Sequence, residues 1–115
     1  MDFELDTFHL EILTRGEKSA ELDPDTVERL FTEHIDYRVK LRADGVMLAA
    51  GAVVGAVASR NVETGNPVVG LAFWRVPRER IEELIADDPG VRAGLYRAEL
   101  VEYVCPKGAL RFEEP

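Results

Sequence analysis

Residues 85–96 read IADDPGVRAGLY, and this stretch decides the second half of the fold. A run with helical spacing ends in it, and Pro89 and Gly90 are typical of a helix break. An apolar run with strand character begins at about residue 95. The stretch therefore predicts a second helix that leads almost directly into the last strand of a sheet.

Asp87 and Asp88 stand where a helix would ideally carry no acidic side chain. The C-terminal end of a helix has a partial negative charge, so a carboxylate there costs about 0.3–1 kcal/mol. One interpretation is local, because aspartate before Pro89 favours a turn. The other is that one carboxylate pairs with a partner elsewhere in the chain, and spacing alone does not separate Asp87 from Asp88.

The rest of the chain alternates between strand and helix periodicity. The predicted elements are a strand at 7–13, a helix at 26–43, strands at 46–53 and 68–76 separated by a long loop, a helix at 77–86 and a strand at 95–104. This order predicts an α+β protein with the ferredoxin-like βαββαβ fold, in which an antiparallel sheet carries both helices on one face.

The first helix has two candidate starts and one apolar stripe. It begins either at Asp25, which with Glu28 resembles a capping box, or at Asp23, which precedes a proline. The residues of the stripe recur at spacings of three and four. They are Val27, Leu30, Phe31, His34, Arg38 and Leu41. The pattern therefore turns a histidine and an arginine toward the apolar side of the helix.

The strand that contains GLAFW, residues 70–74, is apolar on both faces. Leu71 and Phe73 point to one face, and the two residues that alternate with them point to the other. Helices on one side of the sheet cover only one of these faces. A second copy of the chain is the simplest cover for the other face, so we expect a homodimer.

The 115 residues suit one domain over 1–115, of which about 1–6 are expected to be loosely ordered. An apolar fraction of 46% excludes a disordered chain. The net charge of −8 argues against nucleic acid or an anionic membrane as partner.

No apolar run approaches the ~18–20 residues of a membrane span, and the acidic N-terminus does not resemble a secretory signal. Cys105 is the only cysteine, which excludes an internal disulfide and favours the cytoplasm.

His34 is the first candidate for chemistry, because an unperturbed imidazole titrates near ~6.5 and can act as a general base. The alternative is a structural histidine packed in the core. If it is a base, Asp88 or Asp87 can orient the ring. Arg38, one turn further along the helix, and Tyr37 are then expected to bind the substrate.

The remaining polar candidates have simpler interpretations. His9 and Glu11 share one face of the first strand, which we expect to point away from the helices, either as a cross-strand pair or in a cleft at the dimer interface. Cys105 is expected to be a buried, inert thiol. The two histidines lie on different elements and there is no glycine-rich phosphate loop, so we expect no metal and no cofactor.

Three motifs occur in order along the chain. They are His34, then Gly45 followed by VMLAAG at 46–51, then DPGVRAGLY at 88–96. Together they resemble the YCII-related family of small ferredoxin-like proteins, and the ending YVCPKGAL at 103–110 is similar to that of the longer members. The resemblance covers nearly the whole chain. Ala52 departs from it, because many members have proline there.

The resemblance implies a dimeric α+β barrel assembly and a histidine–aspartate dyad, which maps onto His34 and Asp88. A characterised relative eliminates HCl from a chlorinated hydroxyquinol, muconolactone isomerase shares the fold superfamily, and some members are associated with transcription regulators. We therefore expect a cofactor-free lyase or isomerase that abstracts a proton from a small, partly apolar substrate. The alternative is a metabolite-binding or regulatory module that performs no chemistry on the same fold.

Overall fold

The computed structural model describes residues 4–54 and 65–114, and it confirms the ferredoxin-like fold. Its elements are β1 (Leu5–Arg15), a 3-10 turn (Ser19–Glu21), α1 (Pro24–Ala43), β2 (Met47–Ala52), β3 (Val68–Trp74), α2 (Arg78–Ala86), α3 (Pro89–Arg92) and β4 (Tyr96–Pro106). The strands are ordered β2-β3-β1-β4, every neighbouring pair is antiparallel, and the helices pack on one face. Most of the predicted loop between β2 and β3 lies outside the described residues.

Strand β1 and helix α1 both begin two residues earlier than predicted. Strand β1 begins at Leu5, inside the segment expected to be loosely ordered, because its pairing with β4 extends to that residue. Helix α1 begins at Pro24, where a missing N–H costs nothing. The Asp23 carboxylate accepts hydrogen bonds from the backbone N and the hydroxyl of Thr26, both at 2.9 Å. This capping decides between the two predicted starts in favour of Asp23.

The stretch 85–96 contains a short helix that the sequence pattern did not predict. Helix α2 ends at Ala86, and Asp88 is the N-cap of α3, accepting a hydrogen bond from the backbone N of Gly90 at 2.8 Å. Pro89 occupies the first position of α3. The predicted break of the second helix is present, but the expectation that this helix leads almost directly into the last strand is wrong, because Pro89 and Gly90 also suit the start of a new helical turn.

Strand β1 turns its more polar face toward the helices, against our expectation. Glu11 is 1% exposed and Leu13 is also buried, and the Glu11 carboxylate binds Arg38 of α1. His9 lies on the same face, in register with Trp74. Alternation placed His9 and Glu11 together but could not tell which face they occupy. The partners Arg38 and Trp74 make burial of this carboxylate tolerable.

The face of the sheet opposite the helices, which we call the outer face, is apolar and partly open. Its apolar side chains are Phe8, Leu10, Ile12, Leu71, Phe73, Val101 and Tyr103, and Glu99 lies at its edge in register with Ile12. Phe112 from the C-terminal segment adds a ring 5.3 Å from that of Phe73 and 5.4 Å from that of Phe8. Leu71 and Tyr103 nevertheless remain 38% and 40% exposed. One chain therefore leaves this face incompletely covered.

Two buried clusters join the helices to the inner face of the sheet. The first consists of Leu41, Met47, Ala72, Trp74, Ile81, Leu84 and Ile85, and the second of Leu13, Leu30, Leu95 and Tyr96. Helix α1 contributes to both clusters, so its position against the sheet is fixed at two points. This packing also fixes His34 and Arg38, which lie between Leu30 and Leu41 on α1.

Candidate active site

His34 and Asp88 come into contact although 54 positions separate them in the sequence. The ring Nδ1 of His34 lies 2.7 Å from Oδ2 of Asp88. Asp88 is fully buried and His34 is 7% exposed. Asp87 occupies the C-cap of α2 with its side chain in solvent. The geometry therefore separates the two aspartates that spacing could not.

Two further charged side chains join them, and we call Glu11, His34, Arg38 and Asp88 the buried cluster. Arg38 donates from Nε to Oδ2 of Asp88 at 2.7 Å and from Nη2 to Oε2 of Glu11 at 2.9 Å. Its Nη1 donates to Oε1 of Glu11 as well. The indole N–H of Trp74 donates to that same oxygen at 3.1 Å. Each member of the cluster is less than 10% exposed.

The local fold explains why an aspartate is acceptable after helix α2. The Asp88 carboxylate caps the N-terminus of α3 through Gly90, where a negative charge is favourable. Helix α1 brings His34 and Arg38 to the same carboxylate because residues four apart share a face. Gly90 leaves room for the site, since a Cβ there would lie 2.6 Å from Cδ2 of Tyr96.

The charges of the cluster stabilise one another. Burial opposes ionisation of Asp88, but the hydrogen bond from His34 and the positive charge of Arg38 outweigh it, and the pKa of Asp88 lies below its usual value. Burial likewise opposes the charge of Arg38, and Glu11 together with Asp88 raises the pKa of Arg38 above its usual value. Asp88 is thus a carboxylate and Arg38 a guanidinium at neutral pH.

An ionised Asp88 determines which nitrogen of His34 carries the proton. A carboxylate only accepts hydrogen bonds, so Nδ1 of His34 must donate to it. The neutral ring then has its lone pair on Nε2. In the described part of the chain, the ring forms hydrogen bonds at Nδ1 alone, and no buried side-chain nitrogen or oxygen lacks a partner. Nε2 therefore makes no hydrogen bond within these residues and is not completely buried.

His34 lines a cleft of about 1240 Å³ between α1 and the β2–β3 side of the sheet. One wall is apolar, because Phe31, Ile35 and Val39 on successive turns of α1 are 50%, 41% and 62% exposed and face the cleft. Phe31 was expected to point inward with the apolar stripe, and it lines the cleft instead. The ring of Tyr96 lies 4.7 Å from that of His34 and completes the wall beside it.

The two residues expected to bind substrate occupy different places. Arg38 lines the cleft, although Nε, Nη1 and Nη2 each already donate within the buried cluster. The hydroxyl of Tyr37 donates to the backbone O of Leu84 at 2.7 Å, and its ring packs against the core on the α2 side. Burial raises the pKa of Tyr37, with Asp87 and Asp88 adding to the effect. Tyr37 thus lies outside the cleft.

Residues 4–54 and 65–114 hold no group of three or more His, Cys, Asp or Glu side chains arranged for a metal ion. The carboxylates of Glu11 and Asp88 are already engaged by donors from the protein. Cys105 is buried. Across the same residues, no helix has the length and apolar character needed to cross a membrane.

Sequence reasoning gave no role to Glu11 in this site. The available signal was its two-residue spacing from Leu13, which places both on one face of β1. If Leu13 is core, Glu11 must be buried too, and a buried carboxylate requires a cationic partner. Arg38 lies on the apolar stripe of α1, where a charged side chain is unexpected. It was therefore the candidate partner for a buried carboxylate.

A model of the YCII-related domain matches residues 8–103. The chain belongs to the YCII-related domain family. The match runs from β1 to β4 and includes all four residues of the buried cluster. No curated protein matches this YCII-related chain.

Several solved structures are similar to the YCII-related chain. A hypothetical protein from Arabidopsis thaliana, solved in solution, has a TM-score of 0.50 at 14% identity, covering 96% of this chain and 97% of its own. A 5-chloro-2-hydroxyhydroquinone dehydrochlorinase from Burkholderia phenoliruptrix, in complex with 2,5-dihydroxybenzoquinone, has a TM-score of 0.45 at 12% identity, covering 82% and 90%. SnoaB, a cofactor-independent oxygenase from Streptomyces nogalater, has a TM-score of 0.46 at 14% identity, covering 91% and 97%. At these identities the first likeness supports the fold, and the chemistry must be argued from the site itself.

The low pKa of Asp88 predicts a loss of stability in acid. A carboxyl group with a lower pKa in the folded protein than in the unfolded chain stabilises the fold above its unfolded pKa of about 3.9, and this contribution disappears as the pH falls through the folded pKa. We expect the free energy of unfolding in urea to fall less steeply between neutral pH and about pH 3 in Asp88→Asn than in the parent. Asp87→Asn should keep the parent dependence, and the same result for Asp88→Asn would contradict the prediction.

Proposed function

We propose that this YCII-related domain is a small-molecule enzyme in which His34 acts as a general base. The observation that carries the proposal is the 2.7 Å contact between Nδ1 of His34 and the fully buried Asp88, at a ring that lines the cleft and makes no hydrogen bond at Nε2. A base needs a lone pair directed at the substrate and a fixed ring orientation. The contact with Asp88 fixes the ring, and the unbonded Nε2 supports the role of His34 as that base.

The reaction class that suits this site is elimination or isomerisation. Nε2 of His34 takes a proton from a carbon next to a carbonyl, or from a phenolic oxygen, and the electron pair moves into the substrate. Loss of a leaving group such as chloride gives an elimination, and return of the proton to another carbon gives an isomerisation. Neither requires an external oxidant or reductant, so we propose a cofactor-free lyase or isomerase.

The cleft favours a small, partly apolar substrate. Phe31, Ile35 and Val39 offer an apolar wall, and His34 with Tyr96 forms the polar end. Arg38 is the proposed substrate contact, through the N–H groups that Glu11 and Asp88 leave unused and through its positive charge beside a developing enolate.

A binding module without chemistry is the second candidate function. The exposed apolar side chains of α1 favour it, because an open apolar cleft can hold a metabolite without transforming it. Turnover distinguishes the two functions. A module would bind its ligand with His34→Ala almost as well as with the parent, whereas an enzyme would lose its rate.

A substrate screen tests the enzyme directly. The first compounds are chlorinated hydroxyquinols and muconolactones, which the family resemblance suggests, followed by other small phenols and lactones. Product formation with the parent and its loss in His34→Ala supports the proposal. Equal rates for the parent and His34→Ala would contradict the role of His34.

We also propose that the domain acts as a homodimer joined through the outer face. Leu71 and Tyr103 are exposed there beside the rings of Phe8 and Phe73. Exposed apolar area of this kind on a sheet is typical of an interface. The interface would bury the apolar side chains of the outer face, as the helices bury those of the opposite face. A small-molecule ligand would then bind in the cleft.

Leu71→Asp is expected to convert the dimer to a monomer. A charge buried without a partner costs several kcal/mol, and Leu71 lies on the outer face. Light scattering after size exclusion measures the mass at micromolar concentration. Val39→Asp, an exposed position on α1 away from this face, is the control and should stay dimeric. A parent chain that is monomeric under these conditions would contradict the proposal.

The proposal also places the protein in the cytoplasm. Cys105 is the only cysteine of the sequence, and its thiol is free and buried. Proteins of oxidising compartments more often use cysteines in pairs. The net charge of −8 makes nucleic acid an unsuitable partner.

A further inference from the structure

The charges of the buried cluster do not balance while His34 is neutral. Both oxygens of Glu11 accept hydrogen bonds from donors, which suits the carboxylate form, and Asp88 accepts from three donors. Arg38 supplies one positive charge against these two negative charges. One negative charge is therefore left over in a nearly dry environment, and a proton on His34 would neutralise it.

The charge of Glu11 affects how strongly Asp88 attracts a proton to the imidazole of His34. If Glu11 were neutral, the charges of Arg38 and Asp88 would cancel, and protonating His34 would leave a buried positive charge. With Glu11 ionised, the positive charge of Arg38 is offset from the other side, and the Asp88 carboxylate retains its attraction for a proton on His34. Glu11 thus influences the base through Arg38.

We propose that Glu11 is a positioning residue that acts through Arg38: Arg38 holds Asp88 in place, and the negative charge of Glu11 offsets the charge of Arg38, so that Asp88 keeps its attraction for a proton on His34. This inference rests on the proposed function, because it concerns the residue assigned there as the base. The planar guanidinium of Arg38 reaches Asp88 through Nε and Glu11 through its two terminal nitrogens. An ammonium group lacks this fork geometry.

Trp74 holds the carboxylate of Glu11, the member of the buried cluster on β1. Its indole N–H bonds Glu11, and its ring lies 5.5 Å from Cζ of Arg38, within the range of a cation–π contact. Strands β1 and β3 pair beside these residues, with Glu11 in register with Ala72. The carboxylate of Glu11 is thus held by the sheet, and Arg38 transmits its position to Asp88.

An NMR titration of the His34 ring protons tests the proposal with Glu11→Gln. Glutamine matches the shape of glutamate and removes its charge. We expect the titration midpoint of His34 to move to lower pH by about one unit, which is a tenfold weaker binding of the proton. Glu79→Gln removes the same charge from an exposed position on α2 and should leave the midpoint close to that of the parent. Glu11→Asp keeps the negative charge, so the midpoint of His34 in this variant should be close to that of the parent.

A folded Glu11→Gln chain with the parent midpoint would overturn the proposal. If Glu11→Gln does not fold, the proposal is tested on the parent chain instead. A ¹³C NMR titration of the parent's carboxyl groups reports the charge of Glu11. The proposal requires Glu11 to be ionised across the pH range in which His34 titrates, and a protonated Glu11 there would overturn it.

The test is separate from the search for a substrate, because neither NMR readout requires one. An unchanged midpoint together with turnover that depends on His34 would remove Glu11 as a positioning residue and leave the proposed function intact. A lowered midpoint without any turnover would support the positioning role and count against catalysis.

Discussion

Replacing Asp88 with asparagine is expected to slow turnover on the order of 10⁴-fold, the loss that an enzyme suffers when the aspartate that orients its histidine is made neutral. The imidazolium that forms when His34 takes a proton would lose its anionic partner. Asp87→Asn is the matched control one residue away. Its side chain is exposed at the end of α2, so its rate should stay close to that of the parent.

The surroundings of Asp88 make asparagine a poor substitute for a further reason. Oδ2 accepts from His34 and Arg38, and Oδ1 accepts from the backbone N of Gly90. An amide has one accepting oxygen, so its NH₂ group faces a donor in either orientation. This mismatch costs about 1–3 kcal/mol, which a stable domain tolerates.

Turnover of these variants is measured as kcat and kcat/KM on the substrate found in the screen, with circular dichroism to confirm that each chain is folded. Equal losses in Asp88→Asn and Asp87→Asn would contradict the role of Asp88. In that event Asp88 would be a helix cap and a partner of Arg38 alone.

Removing Arg38 is expected to have the largest effect on stability. Arg38→Met leaves Glu11 and Asp88 buried without a cation, and breaking a buried pair from one side costs about 3–5 kcal/mol. Urea unfolding at neutral pH measures the change. Arg29→Met on the same helix is the control, because Arg29 forms an exposed pair with Glu33 at 3.2 Å and should contribute less than about 1 kcal/mol.

The pH dependence of Arg38→Met gives an independent check. Without the cation, burial raises the pKa values of Glu11 and Asp88 in the folded variant, so acid should reduce its deficit relative to the parent. A deficit below about 1 kcal/mol at neutral pH would contradict the account, because it would mean that the pairs of Arg38 contribute no more than exposed ones.

The fold could be predicted from the sequence because most elements combine a clear period with clear ends. Alternation in β1 and three- and four-residue spacing in α1 are strong signals. Helix α3 could not be predicted, since a helix of one turn has no period and Asp88-Pro89-Gly90 also fits a turn. The start of α1 depended on which aspartate caps it, and only the contact of Asp23 with Thr26 decided that.

The site was predictable only in part. Asp88 was paired with His34 through the family resemblance, because a separation of 54 residues leaves no local pattern to read. Glu11 was assigned to the wrong face because alternation fixes which residues share a face and leaves the choice of face to tertiary contacts. Those contacts come from Arg38 and Trp74, 27 and 63 residues away.

The position of the proton on the neutral ring of His34 tests the central claim most directly. Long-range ¹H–¹⁵N NMR of the parent chain, at a pH above the titration of His34, distinguishes the two ring nitrogens. The account predicts a proton on Nδ1, held by the carboxylate of Asp88, and a free lone pair on Nε2. A neutral ring with its proton on Nε2 would contradict the account, because Nε2 could then not accept a proton from a substrate.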